Sequence, residues 1–138
     1  MNTLLITSIL LFSIISVRAT PIPWKLCPDT DNSMLEVTDV TVDPWPTVKG
    51  RPSFVEVKGV AKVDIRQTNG RLDVYMGDTR IFSSAIGGAY SVSRGQAYDY
   101  TFNYAIPSFV PPGSYEGRIS YSSVDRGVFT CISLPEQF

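Results

Sequence analysis

The strongest constraint in this chain is a two-residue alternation through residues 54–66. Val55, Val57, Gly59, Ala61, Val63 and Ile65 hold the odd positions; Phe54, Glu56, Lys58, Val60, Lys62, Asp64 and Arg66 hold the even ones. Successive side chains of a β-strand point to opposite faces, so this pattern makes one apolar face and one mostly wet face. The alternation returns later. Tyr98, Tyr100, Phe102 and Tyr104 alternate with Asp99, Thr101 and Asn103, and Tyr115, Gly117, Ile119 and Tyr121 with Glu116, Arg118 and Ser120. Leu35, Val37, Val40 and Val42 start on one face and then slip by one residue, which predicts a β-bulge. Leu72, Val74 and Met76, the apolar run 81–86, and a last strand of Val128, Thr130 and Ile132 complete the set. Turn-forming residues separate these segments. Asn69-Gly70 suits a two-residue hairpin turn, because both residues accept positive φ. Gly77-Asp78, Gly87-Gly88 and the three prolines of 107–113 are further breaks. Gly59, inside a strand, marks a bulge or a close backbone approach. About seven strands with regular turns and no helical period predict an all-β fold, an immunoglobulin-like antiparallel β-sandwich.

The N-terminus follows a different pattern. Residues 4–15 are apolar apart from Thr7, Ser8 and Ser13, and Val17-Arg18-Ala19 follows with small or medium residues at the -3 and -1 positions. This reads as a secretory signal peptide, residues 1–19, ahead of a single domain at 20–138. The run is short for a transmembrane helix, which needs about 18 or more apolar residues; an uncleaved anchor is the alternative. Secretion puts Cys27 and Cys131, the chain's 2 cysteines, in an oxidising compartment where they are expected to pair; two buried free thiols are the alternative.

Composition narrows the chemistry. The chain has 0 His, which removes Ser-His-Asp triads, Cys-His dyads and His-ligated zinc. Two cysteines cannot complete a Cys₄ or Cys₂His₂ site. With 12 Lys+Arg against 13 Asp+Glu there is no basic excess to hold nucleic acid. No nucleophile elbow, P-loop or dinucleotide fingerprint occurs. Asp29-Thr30-Asp31-Asn32-Ser33 begins like a calcium loop, but Met34 stands where the sixth-position Gly belongs and Val40 where the closing Glu belongs. No metal, cofactor or enzymatic activity is expected.

The surplus is apolar. Phe109 and Val110 are large apolar residues in a proline-rich loop, where exposure is the default. Trp45, between Pro44 and Pro46, poses the same choice between packing and an outward contact.

Taken in order, Trp24-Lys25-Leu26-Cys27, then Leu35, Val37 and Val40 leading to Pro44-Trp45-Pro46, Gly50, the alternating strand through Gly59, Arg71-Leu72, Val92-Ser93-Arg94-Gly95-Gln96, Ile106-Pro107, Pro111-Pro112-Gly113-Ser114-Tyr115 and Thr130-Cys131-Ile132 resemble the ML lipid-recognition family. The nearest likeness is to the phosphatidylglycerol/phosphatidylinositol transfer proteins, with the lysosomal Niemann-Pick cholesterol carriers as relatives. The resemblance covers essentially the whole chain after the leader. It implies a secreted or luminal β-sandwich, in the extracellular space or the lumen of an endosome, lysosome or vacuole, holding a phospholipid or sterol between its sheets. It also implies a Cys27–Cys131 bridge between the first and last strands, and a pocket mouth near Phe82, Ile106, Phe109 and Val110. Relatives usually carry two further disulfides, one just before the segment matching 92–96. Ala89 and Tyr90 stand in that neighbourhood here, leaving the portal side unstapled.

The candidate lipid-binding residues are then Val55, Val57, Val63, Ile65, Leu72, Val74, Ile81, Phe82, Phe102, Tyr104, Ile106, Phe109, Val110, Tyr115 and Ile119. The expected partners are a lipid and, transiently, a membrane, for a monomeric protein that binds no nucleic acid. The alternative is an immunoglobulin-like interaction module with a packed core that binds a protein or glycan through its loops. A dry void of ~300 Å³ would cost roughly 7 kcal/mol, so an unloaded sandwich should close up. Without imidazoles, any acid-triggered release must be sensed by carboxylates such as Glu116 or Asp125.

Overall fold

The computed structural model describes residues 22–138, so the signal peptide expected at 1–19 lies outside the described residues. Its strands are β1 (Lys25–Leu26), β2 (Leu35–Asp43), β3 (Pro52–Ala61), β4 (Ile65–Met76), β5 (Thr79–Ile86), β6 (Tyr90–Val92), β7 (Ala97–Ala105), β8 (Ser114–Ser123) and β9 (Gly127–Gln137). All pairings are antiparallel, in two sheets. One runs β1-β9-β8-β4-β5, with β6 also on β4; the other runs β2-β3-β7. The seven expected strands are the seven long ones. The two additions are short: β1 pairs only with Ile132 and Ser133 of β9, and β6 with Ile65–Gln67 of β4. The edge β5–β6 is one run interrupted at Gly87-Gly88.

Period-two burial builds the core. Val55 and Val57 of β3 face Leu72 and Val74 of β4 and Ile119 of β8 across the interlayer, all fully buried or nearly so. The slip expected in the first long strand is a register shift between Val37 and Asp39 against β3. Gly59 lies opposite it, and a Cβ there would overlap the Glu36 carbonyl, so the expected close backbone approach is present.

Three expectations are corrected. Residues 54–66 are not one strand. β3 ends at Ala61, where Ala61 N–H donates to the Gln96 carbonyl and Gly95 N–H to the Ala61 carbonyl, and the chain crosses to the other sheet before Ile65. The period survives the crossing because both segments keep their odd positions inward. Asn69-Gly70 is not a turn but lies within β4. Gly70 pairs with Tyr121 of β8 and Ile86 of β5, and the Gln67–Asn69 stretch absorbs a register shift. Pairing on both sides outweighs the local turn preference. Finally, Val128, Thr130 and Ile132 do not share one face. A register shift between Tyr121 and Ser122 turns Phe129 inward and leaves Val128 exposed.

Cys27, just after β1, is bonded to Cys131 of β9 with a Cα–Cα distance of 5.3 Å and a sequence separation of 104. Cys27 N–H also donates to the Cys131 carbonyl at 2.9 Å. The bridge joins neighbouring strands of one sheet, not the two sheets. Among the described residues no helix is long and apolar enough to cross a membrane.

Candidate functional site

Aromatic rings share the space between the sheets with the aliphatic core. Tyr98, Tyr100, Phe102 and Tyr104 project inward from β7, and Tyr121 of β8 meets Tyr100 edge-on at 5.5 Å and Phe102 at 5.6 Å between centroids. Tyr98 meets Phe129 at 6.4 Å. Such contacts are favourable beyond the area they bury, so the layer is closed and cohesive.

The candidate residues divide by position. Val55, Val57, Ile65, Leu72, Val74, Phe102, Tyr104, Ile106, Val110, Tyr115 and Ile119 are buried in this layer. Val63, in the crossing between β3 and β4, is half-buried, as are Ile81 and Phe82 of β5. Ile81 is the extra residue of a register shift opposite Val74 and Tyr75, which pulls it off the inward row. Phe109 is 77% exposed.

One end of the sandwich holds Glu136 together with some of the exposed apolar groups; Val60, Val124 and Val128 are exposed towards the other end. Loop 44–51 joins β2 to β3 at the Glu136 end, and loop 106–113 carries the chain from one sheet to the other. Gly50 N–H donates to the Ile106 carbonyl at 2.7 Å, and Lys49 Nζ to the Val110 carbonyl at 2.8 Å. Val110 N–H donates back to the Pro107 carbonyl, and the Tyr115 hydroxyl donates to that of Pro111. These bonds turn Val110 into the core and leave its neighbour Phe109 outward. Val48, Phe54 and Met76 are also exposed at this end. Trp45 is half-buried and lines an open cleft of about 280 Å³ with Pro46, Ser114, Tyr115, Pro135, Glu136 and Gln137. A second cleft, about 410 Å³, lies between Thr47, Val48, Lys49 and the C-terminal Gln137 and Phe138. Small-ligand pockets span about 300–1,000 Å³, so the first cleft falls just short of that range and the second sits at its lower end.

Sequence reasoning missed the residue that stands out beneath these loops. Glu136 is 4% exposed. Its Oε1 accepts a hydrogen bond from the Tyr104 hydroxyl at 2.9 Å and one from Thr47 Oγ1 at 3.2 Å, while Oε2 has no partner among the described residues. Burial pushes its carboxyl up to about 7, partly offset by the Tyr104 and Thr47 bonds. Burial, then the adjacent Glu136 charge, likewise holds the Tyr104 hydroxyl protonated. The pH-sensing role expected of Glu116 does not fit: Arg118 and Ser133 bond its carboxylate and hold it below the usual range. The inward row Ile132, Leu134, Glu136 was the available signal. Ser53 Oγ and the Tyr121 hydroxyl, also inward-facing, are the other buried polar side-chain atoms without a partner among the described residues. No group of three or more His, Cys, Asp or Glu residues that could hold a metal occurs among the described residues.

Comparison with known proteins agrees with this architecture. The family model described as ML domain matches residues 21–138. A protein of Dictyostelium discoideum, provisionally named a phosphatidylglycerol/phosphatidylinositol transfer protein, is 31% identical over 144 residues, covering 95% of this chain and 93% of its own. Among solved structures, a Niemann-Pick type C2 protein from Japanese carpenter ant is similar with a TM-score of 0.61 at 12% identity, over 83% of this chain and 97% of that one. Chicken MD-1, solved in complex with lipid IVa, is similar with a TM-score of 0.58 at 12% identity, over 83% and 88%.

Proposed function

The chain belongs to the ML domain family, a non-enzymatic lipid-transfer family, and from that premise we propose that it carries a phospholipid or sterol between its two sheets and exchanges it with membranes through the end formed by loops 44–51 and 106–113. It is an ML-domain lipid-binding protein; the class of lipid and the route are the proposal. The disulfide and the family point to an extracellular or luminal protein, because such bridges persist in oxidising compartments.

The observation that carries the proposal is the continuity of two surfaces. The apolar interlayer runs up to an end where Val110 is buried and its neighbour Phe109 projects into solvent. An acyl chain or sterol ring entering there trades water for a largely apolar interlayer, past the buried polar groups of Glu136 and Ser53. Phe109 gives that end a side chain able to enter a bilayer surface. Lys49 and Arg51 belong to loop 44–51 at the same end, where cations favour anionic headgroups.

The closed interior is the one observation favouring the alternative, an interaction module with a permanently packed core. One experiment decides between them. Protein from a secreting host is extracted with organic solvent, examined by native mass spectrometry, and assayed for uptake from phosphatidylglycerol, phosphatidylinositol and sterol vesicles. Lipid carriage is expected, and Phe109→Asp should reduce uptake at least tenfold while changing stability by no more than about 0.5 kcal/mol, as for other exposed positions. A lipid-free core together with no uptake from any vesicle would sink the proposal.

A further inference from the structure

Three buried polar atoms lack partners among the described residues, and all belong to inward-facing positions: Ser53 of β3, Tyr121 of β8 and Glu136 of β9. An unpartnered buried polar atom is costly, and an acyl chain laid beside it would leave it so. The interlayer is therefore matched to a ligand that brings polar atoms inside. The demand is strongest at Glu136. Its Oε1 is committed to Tyr104 and Thr47, and its Oε2 is not. Glu136 also forms part of the wall of the cleft lined by Trp45, Ser114 and Tyr115. Ser53 is the register partner of Tyr104, so the second unpartnered atom belongs to the same face and the same end of the sandwich.

The arrangement specifies the complementary group. Two donors already occupy Oε1, so the proton of the neutral acid belongs on Oε2. Oε2 is then a donor when Glu136 is neutral and an acceptor when it is ionised. A phosphate oxygen suits only the first state, and an ammonium only the second. A hydroxyl, both donor and acceptor, suits both. The groups facing Glu136 are Tyr104 from β7, Thr47 from loop 44–51 and its register partner Tyr115 from β8, whose hydroxyl is engaged by Pro111. The nearby ammonium of Lys49 is bonded to the Val110 carbonyl, and among the described residues no cation offsets the charge of the carboxylate.

Resting on the lipid-carrier reading, we propose that Glu136 recognises a hydroxyl group of the bound lipid through Oε2, so that the hydroxyl-bearing end of the lipid is drawn inside beneath loop 44–51. The hydroxyl could come from a sterol or from a glycerol headgroup, and two matched pairs separate these sources. Cholesterol is compared with its 3-methyl ether, and dioleoylphosphatidylglycerol with dioleoylphosphatidylmethanol, which keeps the charge and lacks the hydroxyls. Wild-type protein should bind the hydroxyl member of at least one pair ten or more times tighter. The preference should grow from pH 5 to pH 8, because a charged acceptor makes the stronger bond. Glu136→Met should bring the ratio within threefold. Glu136→Gln keeps the shape and an acceptor for Tyr104; should the Met variant not fold, it tests the same point by losing the pH dependence of the preference. Equal binding of both members of both pairs overturns the proposal while leaving lipid carriage intact, and so does an unchanged, pH-dependent preference in Glu136→Gln. Failure of wild-type protein to bind any of the four lipids is instead the failure of the carrier reading.

Discussion

At the scale of single residues, Glu136 couples folding to pH in an unusual direction. Most native carboxyls titrate below their unfolded value and destabilise the fold on acidification. Glu136 is raised from 4.5 to about 7, chiefly by burial. The native state therefore keeps its proton over a range where the unfolded chain has lost it. Its contribution is fully present below about pH 4.5 and falls as pH rises towards 7, by roughly 3 kcal/mol in all. Glu116, held low by Arg118, acts in the opposite sense, losing its contribution only as pH falls below the ordinary carboxyl range. Urea unfolding across pH 4–8 should show stability declining from pH 5 to pH 7.5, and Glu136→Gln should flatten that limb. A wild-type profile that rises through this range would contradict the assignment. Glu136 escaped sequence reasoning for a local reason. The apolar alternation of the last strand is legible only as far as Ile132, and Pro135, a residue that argues against a paired strand, precedes Glu136. Beyond the two residues paired with β1, β9 is bonded to β8 alone, and an edge tolerates proline there.

At the scale of elements, alternation was legible and partnership was not. The inward rows of β3, β7 and β8 were readable because a half-buried strand must alternate. The crossing at residues 62–64 was not, because a period of two records which face is buried and not which sheet the segment joins. Asn69-Gly70 shows the same limit: a good hairpin pair becomes mid-strand once β5 and β8 pair on both sides. Here glycine serves a packing need, since any Cβ at Gly70 would overlap the Tyr121 ring. That ring also holds Tyr100 and Phe102 edge-on. Gly70→Ala should therefore cost about 1–3 kcal/mol, as overpacking of a close-packed core usually does. Thermal unfolding is the check, and a change below ~0.5 kcal/mol would mean that the ring is free to move aside.

At the scale of the whole molecule, the two layers are held by side-chain packing and by the backbone links between them. The disulfide lies within one sheet. Parting the layers, as the proposed carriage of lipid requires, breaks no disulfide but does break the Tyr98–Gln67 and Tyr104–Glu136 hydrogen bonds that cross between them. The bridge acts instead on the unfolded chain, where closing a loop of this size is worth up to about 4.7 kcal/mol in the chain-entropy picture. The paired change Cys27→Ala with Cys131→Ala should lower stability by about 2–5 kcal/mol yet leave lipid uptake at 15 °C within twofold. Loss of uptake in a variant that remains folded would show that the bridge shapes the pocket as well.

Cys27 and Cys131 lie close to the two ends of the described chain, which gives the bond a mechanical meaning. Pulled by those ends, the molecule transmits force through β1, the bridge and the last part of β9. The 104-residue separation spanned by the bond carries no load. Only reduction would release that hidden length, roughly 350 Å of extended chain at about 3.4 Å per residue. While the bond is intact, tension bypasses β2 to β8 and falls on the end of β9 that carries Glu136.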